Sequence, residues 1–464
     1  MRRLSKLTRT AVQAVRRGLV IFRRHTALIY AVYAFPLVLI VSSLTPPLIA
    51  PDEGGHAIRS LMVSELRLFP KNDPGPGLTP QDVPADLRDF VMVTHQQLRD
   101  EGVFGWRAAQ ALPEGSWSSE RSEIRSAIDG YFPLFYVPQA VVVTTARLFG
   151  VSISDTLRYG RLALGLLFIS LAALAIHIAR RGKFAFFILL ALPMVVFLGT
   201  SFSPDAWLIA SAALGGAAAT RIVPGQGDAK TWLKRYGLAL IVLVAIKPVH
   251  IALALTTWTQ GGIGWAVRTK LVVTVLAATA ILWTVLVVSP PDRVADNIDP
   301  GAQMEFLLES PGAVFGIAAS NLLNQPFLPM RQLFVVTDHP NAYAGPGLTA
   351  FLSLVVLAVI FANPPSARQP TGARVMGIGG AVLAYGLTYA ALYLVWTPVG
   401  SPGPVMGVQG RYLIPILLMA IPSLPPRPLG RNFASPAALL TSVMAAYFLL
   451  VVPWTFAHYL NPGL

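Results

Sequence analysis

Two carboxylates and an imidazole stand close together early in the chain, in the stretch PDEGGH at residues 51–56. If a helix begins here, Asp52 and Glu53 precede His56 by four and three residues and share a face with it. A carboxylate in this position could act as a general base toward an acceptor hydroxyl. The three groups together could instead hold a divalent metal such as Mg²⁺ or Mn²⁺. The alternative without chemistry is that both acids cap a juxtamembrane helix.

Asp205 is a second candidate acid, and it follows Ser203 and Pro204 at the end of an apolar segment. Ser203 or Asp205 could simply cap the helix that comes next. The predicted topology, however, puts Asp205 on the same face of the membrane as Asp52. Asp205 is therefore expected to support a site built around Asp52.

Arg411 and Lys247 are candidate ligands for a phosphate group. Arg411 lies in the stretch QGRY at residues 409–412, after a glycine- and proline-rich segment. Its planar guanidinium suits phosphate oxygens, although an arginine beside Tyr412 could also snorkel to the membrane interface. Lys247 is surrounded by apolar sequence, where an unpaired charge is costly. Gln409 and Tyr412 would support the loop that carries Arg411.

Further support for the site is expected from two aromatic and two basic residues. Tyr131 and Tyr136 open an aromatic, proline-containing segment and could anchor it at the interface or stack on a sugar. Arg158 and Arg161 precede an apolar span and could pair with loop carboxylates or reach a phosphate.

The elements that must position these residues are membrane spans. The chain has 464 residues, of which 54% are hydrophobic and only 12% are charged, and its mean hydropathy is +0.59. A soluble domain carries about a quarter charged residues. The formal charge of +14 is explained by basic loops on one side of a membrane rather than by nucleic-acid binding. The absence of cysteine excludes disulfides and a thiol nucleophile.

The sequence predicts an all-α polytopic membrane protein with about eleven crossings, a cytoplasmic N-terminus and a periplasmic C-terminus in the bacterial inner membrane. A basic arm over 1–26 precedes a single transmembrane domain over 27–464, with outer loops at 45–158 and 289–343. The predicted spans are 27–44, 162–179, 184–199, 206–223, a hairpin over 237–258 broken at Lys247, 271–288, 344–362, 375–395, 405–424 and 437–456.

Residues 132–149 are apolar but are predicted not to cross the membrane. If they crossed, Arg180, Arg181 and Lys183 would move to the outer face, against the positive-inside rule. The segment is expected to lie at the interface or to re-enter the membrane. A proline- and glycine-rich turn is predicted at 71–77, and no soluble domain is expected.

Four motifs, in order along most of the chain, carry a resemblance. PDEGGHAIR at 51–59, YFPLFY at 131–136, SPDA at 203–206 and QGRYLIP at 409–415 together resemble a bacterial family of predicted membrane proteins of unknown function. That family looks like the GT-C glycosyltransferases, which use lipid-linked sugar donors.

The resemblance implies a sugar donor carried on polyprenyl phosphate, with transfer on the outer face to a glycan, lipid or protein acceptor among membrane lipids. By motif, Asp52 matches the acidic residue of the first outer loop and Asp205 that of the second. Arg411 matches a late arginine near the donor phosphate. We expect Asp52 to act as base, with Glu53 and His56 orienting it or holding a metal, and Lys247 and Arg411 to neutralise the leaving phosphate. The alternatives are a transporter or flippase of lipid-linked glycans and a non-catalytic envelope-assembly protein.

Overall fold

The computed structural model describes most of the chain. Described are residues 13, 17–69, 79–101, 115–126, 128, 131–222, 228–255, 270, 273, 274, 276–281, 297–335, 345–362, 371–424 and 434–460. The predicted turn at 71–77, most of the predicted span at 271–288 and most of the basic arm lie outside the described residues.

The described chain is mainly helical. Its elements, in order, are α1 (Thr26–Leu44), α2 (Glu53–Ser64), β1 (Thr79–Pro84), α3 (Ala85–Glu101), β2 (Arg121–Ser126), α4 (Val137–Leu148), α5 (Ile153–Ile178), α6 (Lys183–Leu190), α7 (Pro193–Gly199), α8 (Asp205–Ala219), α9 (Ala229–Ile246), α10 (Pro300–Glu309), α11 (Ala313–Asn324), α12 (Leu328–Leu333), α13 (Pro346–Phe361), α14 (Thr371–Trp396), α15 (Leu413–Ala420) and α16 (Ala434–Leu460). Short 3₁₀ turns lie at Pro133–Tyr136, Pro248–Ala254, Gly410–Tyr412 and Ile421–Ser423.

Several of these helices are long and apolar enough to cross a membrane. Within the described ranges they are Thr26–Leu44, Ile153–Ile178, Arg374–Trp396 and Pro436–Ala457. The pair α10 and α11 is bent by 110° and would make a fifth span if it is one broken crossing. Shorter apolar helices are Asp205–Ala219, Pro346–Phe361 and Gly410–Ser423. The chain is thus a helical membrane protein with several apolar helices.

The core of the bundle is the broken helix α6–α7. Every residue from Phe184 to Gly199 is buried, and α6 contacts α1, α5, α13, α15 and α16. Pro193 lies at the start of α7 and cannot continue the hydrogen bonding of α6, so the predicted span at 184–199 is two short helices. A helix that is apolar on all sides fits this buried position.

The N-terminal end of α5 differs from its prediction. The apolar run begins at residue 162, but the helix begins at Ile153 because the Ser152 hydroxyl accepts a hydrogen bond from the Asp155 N–H at 3.1 Å. This extra length places Arg161 inside the helix rather than in a loop. The longer helix has consequences for the candidate site.

The predicted first outer loop, at 45–158, contains β-structure that the all-α prediction missed. Strands β1 and β2 pair antiparallel, with Thr79 opposite Ser126 and Pro84 opposite Arg121. With α2 and α3 they enclose a small satellite core that includes Leu61, Phe90 and Ile124. The loop at 45–158 is therefore partly a folded unit on the end of the bundle.

Helix α4 corresponds to the segment predicted not to cross. Its 12 residues extend about 18 Å, whereas the hydrocarbon core of a bilayer is about 30 Å thick. One face buries Gln139 and Val143, and the opposite face exposes Val137 and Val141. A short helix with one exposed apolar face is typical of an interfacial or re-entrant segment.

Two other predicted spans are altered around candidate site residues. The hairpin at 237–258 does break at Lys247, but its first arm is the longer helix α9, which begins at Ala229. In the span predicted at 405–424, residues 405–409 are not helical and α15 begins only at Leu413. Arg411 therefore lies in a turn at the end of the apolar helix.

The close approach of α8 and α15 depends on Gly216. A Cβ atom added there would lie 2.2 Å from the backbone oxygen of Leu418. We expect Gly216→Ala to destabilise the protein by about 1–3 kcal/mol, because backbone must shift to admit the methyl group. In contrast, Gly379→Ala in α14 meets nothing within 4 Å and should leave the thermal unfolding midpoint unchanged or slightly raised. Equal midpoints for the two purified variants would contradict this packing.

Candidate functional site

One guanidinium joins two carboxylates that are far apart in the chain. Arg411 Nη1 lies 3.1 Å from Asp205 Oδ2, and Arg411 Nη2 lies 3.1 Å from Asp52 Oδ2. The side chains of Arg411 and Asp205 are each 8% exposed, whereas that of Asp52 is 54% exposed. The cluster therefore consists of a buried ion pair with a second acid on its open side.

Lys247 supplies a second cation to this cluster. Its Nζ lies 3.6 Å from Asp205 Oδ1 and 4.3 Å from the centre of the Tyr412 ring. Asp205 thus lies between two positive charges. The lysine that looks stranded in apolar sequence has a buried carboxylate as its partner, which offsets the cost of placing it there.

Both acids are positioned by the start of a helix. Asp205 is the first residue of α8, and its N–H donates to Ser203 Oγ at 3.3 Å. Asp52 directly precedes α2 and adopts the left-handed conformation, with φ of 60°. This conformation is uncommon for residues other than glycine, but aspartate and asparagine tolerate it. The turn directs the Asp52 and Glu53 side chains to different neighbours.

The turn at Gly410–Tyr412 fixes Arg411. The Gly410 N–H donates to Gln332 Oε1 in α12, and a Cβ atom on Gly410 would lie 2.2 Å from the Pro329 oxygen. Only glycine lets α12 pack this closely against the turn. The backbone oxygen of Gln409 accepts a hydrogen bond from the Tyr412 N–H, and this bond closes the same turn.

His56 and the two predicted tyrosines form a buried wall beside the acids. His56 Nδ1 lies 2.8 Å from the Tyr136 hydroxyl, and the His56 and Tyr131 rings meet edge to face. Burial lowers the pKa of His56 to about 4, although the nearby charges of Asp52 and Asp205 oppose this shift. Burial also raises the pKa of Tyr131. At neutral pH, His56 is an uncharged imidazole and Tyr131 a protonated phenol.

Glu53 does not take part in this cluster, and its predicted place beside Asp52 is corrected. Its carboxylate is buried and paired with Arg161, whose Nε lies 2.9 Å from Glu53 Oε1. The Phe202 N–H also donates to Glu53 Oε1, at 3.0 Å. Arg161 in turn donates to the backbone oxygens of Thr45 and Pro46. This clamp ties the end of α1, the start of α2 and the loop before Asp205 to helix α5.

The metal set predicted from Asp52, Glu53 and His56 is also corrected. No group of three or more acidic or histidine side chains in the described part of the chain is arranged to hold a metal ion. The physical reason is that Asp52 binds Arg411, Glu53 binds Arg161 and His56 contacts Tyr136. The three side chains leave the same turn in different directions.

The remaining predicted residues divide between the cluster and its surroundings. The centre of the Tyr412 ring lies 5.5 Å from Arg411 Cζ, so this ring contacts both cations of the cluster. Arg158 does not reach it, because it pairs with Asp155 on the exposed side of α5. Arg161 does pair with a loop carboxylate, as one of its two predicted roles required.

Arg59 is a site residue to which sequence reasoning gave no role. It is fully buried in α2, and its Nη2 donates to the Tyr131 oxygen at 2.7 Å and to the Leu68 oxygen at 2.9 Å. Arg59 therefore fixes the backbone of the irregular segment that carries Tyr131. The available signal was an arginine between Ile58 and the apolar run at 61–63, since a buried charge must be paired or hydrogen-bonded.

The cluster has the groups needed to bind an oxyanion and to accept a proton. Arg411 and Lys247 are two cations that approach the same carboxylate, and charge-assisted hydrogen bonds of this kind bind phosphate strongly. Asp52 is a carboxylate at the open side of the same cluster. No comparable arrangement is formed by Glu53, which is enclosed by its own clamp.

Comparison with protein families gives one match. A family model described as Predicted membrane protein (DUF2142) matches residues 35–420, most of the chain and all four members of the cluster. Neither the curated proteins nor the solved structures contain a match to the chain.

The Glu53–Arg161 pair should contribute far more to stability than an exposed pair. Glu53→Gln leaves the buried Arg161 without a counter-charge, which we expect to cost about 3–5 kcal/mol. Asp155→Asn is a matched control because it breaks the exposed Asp155–Arg158 pair, which should contribute at most about 1 kcal/mol. Thermal unfolding of both purified variants measures the difference. Similar midpoints would show that the clamp is not a structural element.

The burial of His56 predicts a pH dependence of stability. Between the ordinary pKa of 6.5 and the folded value of about 4, the unfolded chain binds a proton that the folded chain does not. Stability from this group is therefore complete above pH 6.5 and falls on acidification, by on the order of 3 kcal/mol near pH 4. The unfolding midpoint of His56→Gln should fall less steeply than that of the unmodified protein between pH 6.5 and 4.5. Parallel curves would contradict a neutral, buried His56.

Proposed function

This chain belongs to the family described as Predicted membrane protein (DUF2142), and we propose that it transfers a sugar from a polyprenyl-phosphate donor to a hydroxyl of a cell-envelope acceptor. The observation that carries the proposal is the cluster of Asp52, Asp205, Lys247 and Arg411. It combines a pair of cations with a half-exposed carboxylate at the ends of apolar helices. A lipid-linked substrate presents its reactive phosphate at such a boundary.

The cations of the cluster suit the leaving group. When the bond between the anomeric carbon and the phosphate oxygen breaks, its electron pair stays on that oxygen, and negative charge grows on the phosphate. Arg411 and Lys247 would stabilise this charge, and they are already held near each other by Asp205. Asp205 acts in this proposal as a positioning residue and counter-ion.

Asp52 suits the role of general base. Its carboxylate is the most exposed charge of the cluster, so an acceptor hydroxyl can reach it. Asp52 would take the hydroxyl proton while the acceptor oxygen forms its bond to the anomeric carbon and the phosphate leaves. A single displacement of this kind inverts the anomeric centre. Glu53 is enclosed by Arg161 and has no part in the step.

Asp52, Glu53 and His56 do not form a ligand set for a divalent metal, and no other acidic or histidine set does so among the described residues, so no step is routed through one. The likeness of the four sequence motifs to GT-C glycosyltransferases supports the same reaction class and is part of the proposal. His56, Tyr131 and Tyr136 would line the site as neutral groups. The partly buried Tyr131 ring offers a surface for a sugar, and the fully buried Tyr136 supports His56 behind it.

The proposal places the reaction on the outer face of the bacterial inner membrane, with about eleven crossings and a cytoplasmic N-terminus. The support is the position of basic residues at the end of the bundle away from the cluster. Helix α8 begins at Asp205 and is followed by Arg221, and α5, whose first turns lie near the cluster, is followed by Arg180. The Arg180 N–H donates to Thr220 Oγ1, so the basic ends are adjacent. Basic ends are expected on the cytoplasmic side.

The test is transfer by the purified protein from a labelled polyprenyl-phosphate sugar. We expect Asp52→Asn to lower the rate of donor consumption by about 10²–10⁴-fold, because the amide cannot accept the proton. Asp228→Asn, which changes an acid near the start of α9, is the control and should keep the full rate. An Asp52→Asn variant with the full rate would remove the base from the mechanism.

The same assay separates the alternative functions. Donor consumption with release of polyprenyl phosphate supports the transferase. Movement of intact donor across a vesicle membrane, with no bond cleaved, would overturn the proposal in favour of a transporter or flippase. Neither consumption nor movement would favour an assembly protein without catalytic activity.

A further inference from the structure

We infer that Asp52 occupies the donor-phosphate position on Arg411 when the site is free, so that the donor must displace Asp52 and thereby makes it available as base. This inference rests on the proposed function and adds an order to it: donor first, acceptor second. It follows from the way in which the guanidinium of Arg411 is divided between its neighbours.

The two edges of the Arg411 guanidinium have different partners. Nη1 is held by Asp205, which is buried and also approached by Lys247. Nη2 and Nε form the other edge of the planar group, and of these two donors only Nη2 contacts a carboxylate, that of Asp52. Nε is buried and has no hydrogen-bond acceptor within the described part of the chain. One edge of the guanidinium is thus half used.

Nε, which has no acceptor, and Nη2, which has one, together suit an oxyanion that accepts two hydrogen bonds. A carboxylate or phosphate can accept from Nε and Nη2 together, in two parallel charge-assisted hydrogen bonds. A buried N–H without an acceptor is destabilising, and a phosphate on this edge would satisfy it. Asp52 does not satisfy Nε, because it contacts Nη2 alone.

Asp52, rather than Asp205, is the carboxylate that can leave. Asp52 is 54% exposed and has one cationic partner in the described part of the chain, whereas Asp205 is 8% exposed and lies between Arg411 and Lys247. A pair that is open to solvent on its acid side is easier to break than a pair buried on both sides. A phosphate that arrives from the open side therefore meets the weaker pair first.

Displacement has a direct consequence for catalysis. While Asp52 accepts from Arg411, one of its oxygens is directed at the guanidinium and not at an acceptor. Once the phosphate holds Arg411, the freed carboxylate is repelled by the bound anion and can turn to an acceptor hydroxyl beside it. Both carboxylate oxygens of Asp52 are thus available to the acceptor hydroxyl once a donor is in place.

The test is the affinity for a short-chain polyprenyl phosphate, which is the released product, measured by calorimetry in detergent. Asp52→Asn removes the competing charge and retains a residue that tolerates a φ near 60°. We expect it to bind about two- to fivefold more tightly than the unmodified protein, which corresponds to the loss of an exposed pair. Asp52→Ser should give the same direction. Asp228→Asn should not change the affinity, and Arg411→Gln should abolish measurable binding.

The outcomes separate the inference from the function on which it rests. Tighter binding by Asp52→Asn, together with loss of transfer, supports both. Equal or weaker binding by Asp52→Asn and Asp52→Ser, with binding and transfer intact in the unmodified protein, would overturn the displacement and leave the transferase standing. If the unmodified protein and both Asp52 variants all fail to bind polyprenyl phosphate, the proposed function fails and the inference fails with it.

Discussion

The contact of Arg411 with both Asp52 and Asp205 is the interaction on which the arrangement of the site depends. These residues come from three segments that lie more than 150 positions apart, and each is fixed by the end of a helix: Asp52 before α2, Asp205 at the start of α8 and Arg411 in the turn before α15. A largely buried guanidinium must have a counter-charge, and Asp205 supplies the buried one, so the bundle can close at this end only if Asp205 reaches Arg411. The same requirement brings Lys247 to Asp205 at the break after α9. Electrostatic pairing thus brings together, at the ends of these helices, the groups to which we assign a phosphate-linked substrate in the proposed function.

A second ion pair, between Glu53 and Arg161, holds the neighbouring helix ends in place without belonging to the cluster. Asp52 and Glu53 are neighbours in sequence, yet Asp52 faces the open cluster while Glu53 is enclosed by Arg161 and the Phe202 N–H. The left-handed turn at Asp52 separates the two side chains. Because Arg161 also binds backbone oxygens at the end of α1, the Glu53 clamp holds two helix ends and the loop before Asp205 in one register. The exposed acid, Asp52, is the one that the proposed donor would displace, and the buried Glu53 holds the surrounding helix ends in place.

Much of this was predictable from the sequence, for reasons visible in particular residues. The run at 27–44 is the helix Thr26–Leu44 almost to the residue, since a long apolar stretch has few alternatives. Charged residues at the boundaries of apolar runs pointed to Asp52, Asp205, Arg411 and Lys247, because such charges need partners or water. The separate directions of Asp52 and Glu53 were not predictable, since they depend on one backbone torsion.

The ribbon of β1 and β2 was missed because its strands are short and far apart in sequence. The start of α5 was missed because the polar residues of its first turns resemble a loop. Family membership adds that the chain is a predicted membrane protein, while the chemistry rests on the site.

An electron cryomicroscopy structure of the protein with polyprenyl phosphate bound would show how the ligand meets the cluster. We expect a phosphate within hydrogen-bonding distance of both Arg411 and Lys247, with Asp205 still paired to Arg411 and Asp52 no longer in contact with it. A phosphate bound away from these cations, or seated on them with the Asp52–Arg411 contact intact, would contradict this expectation.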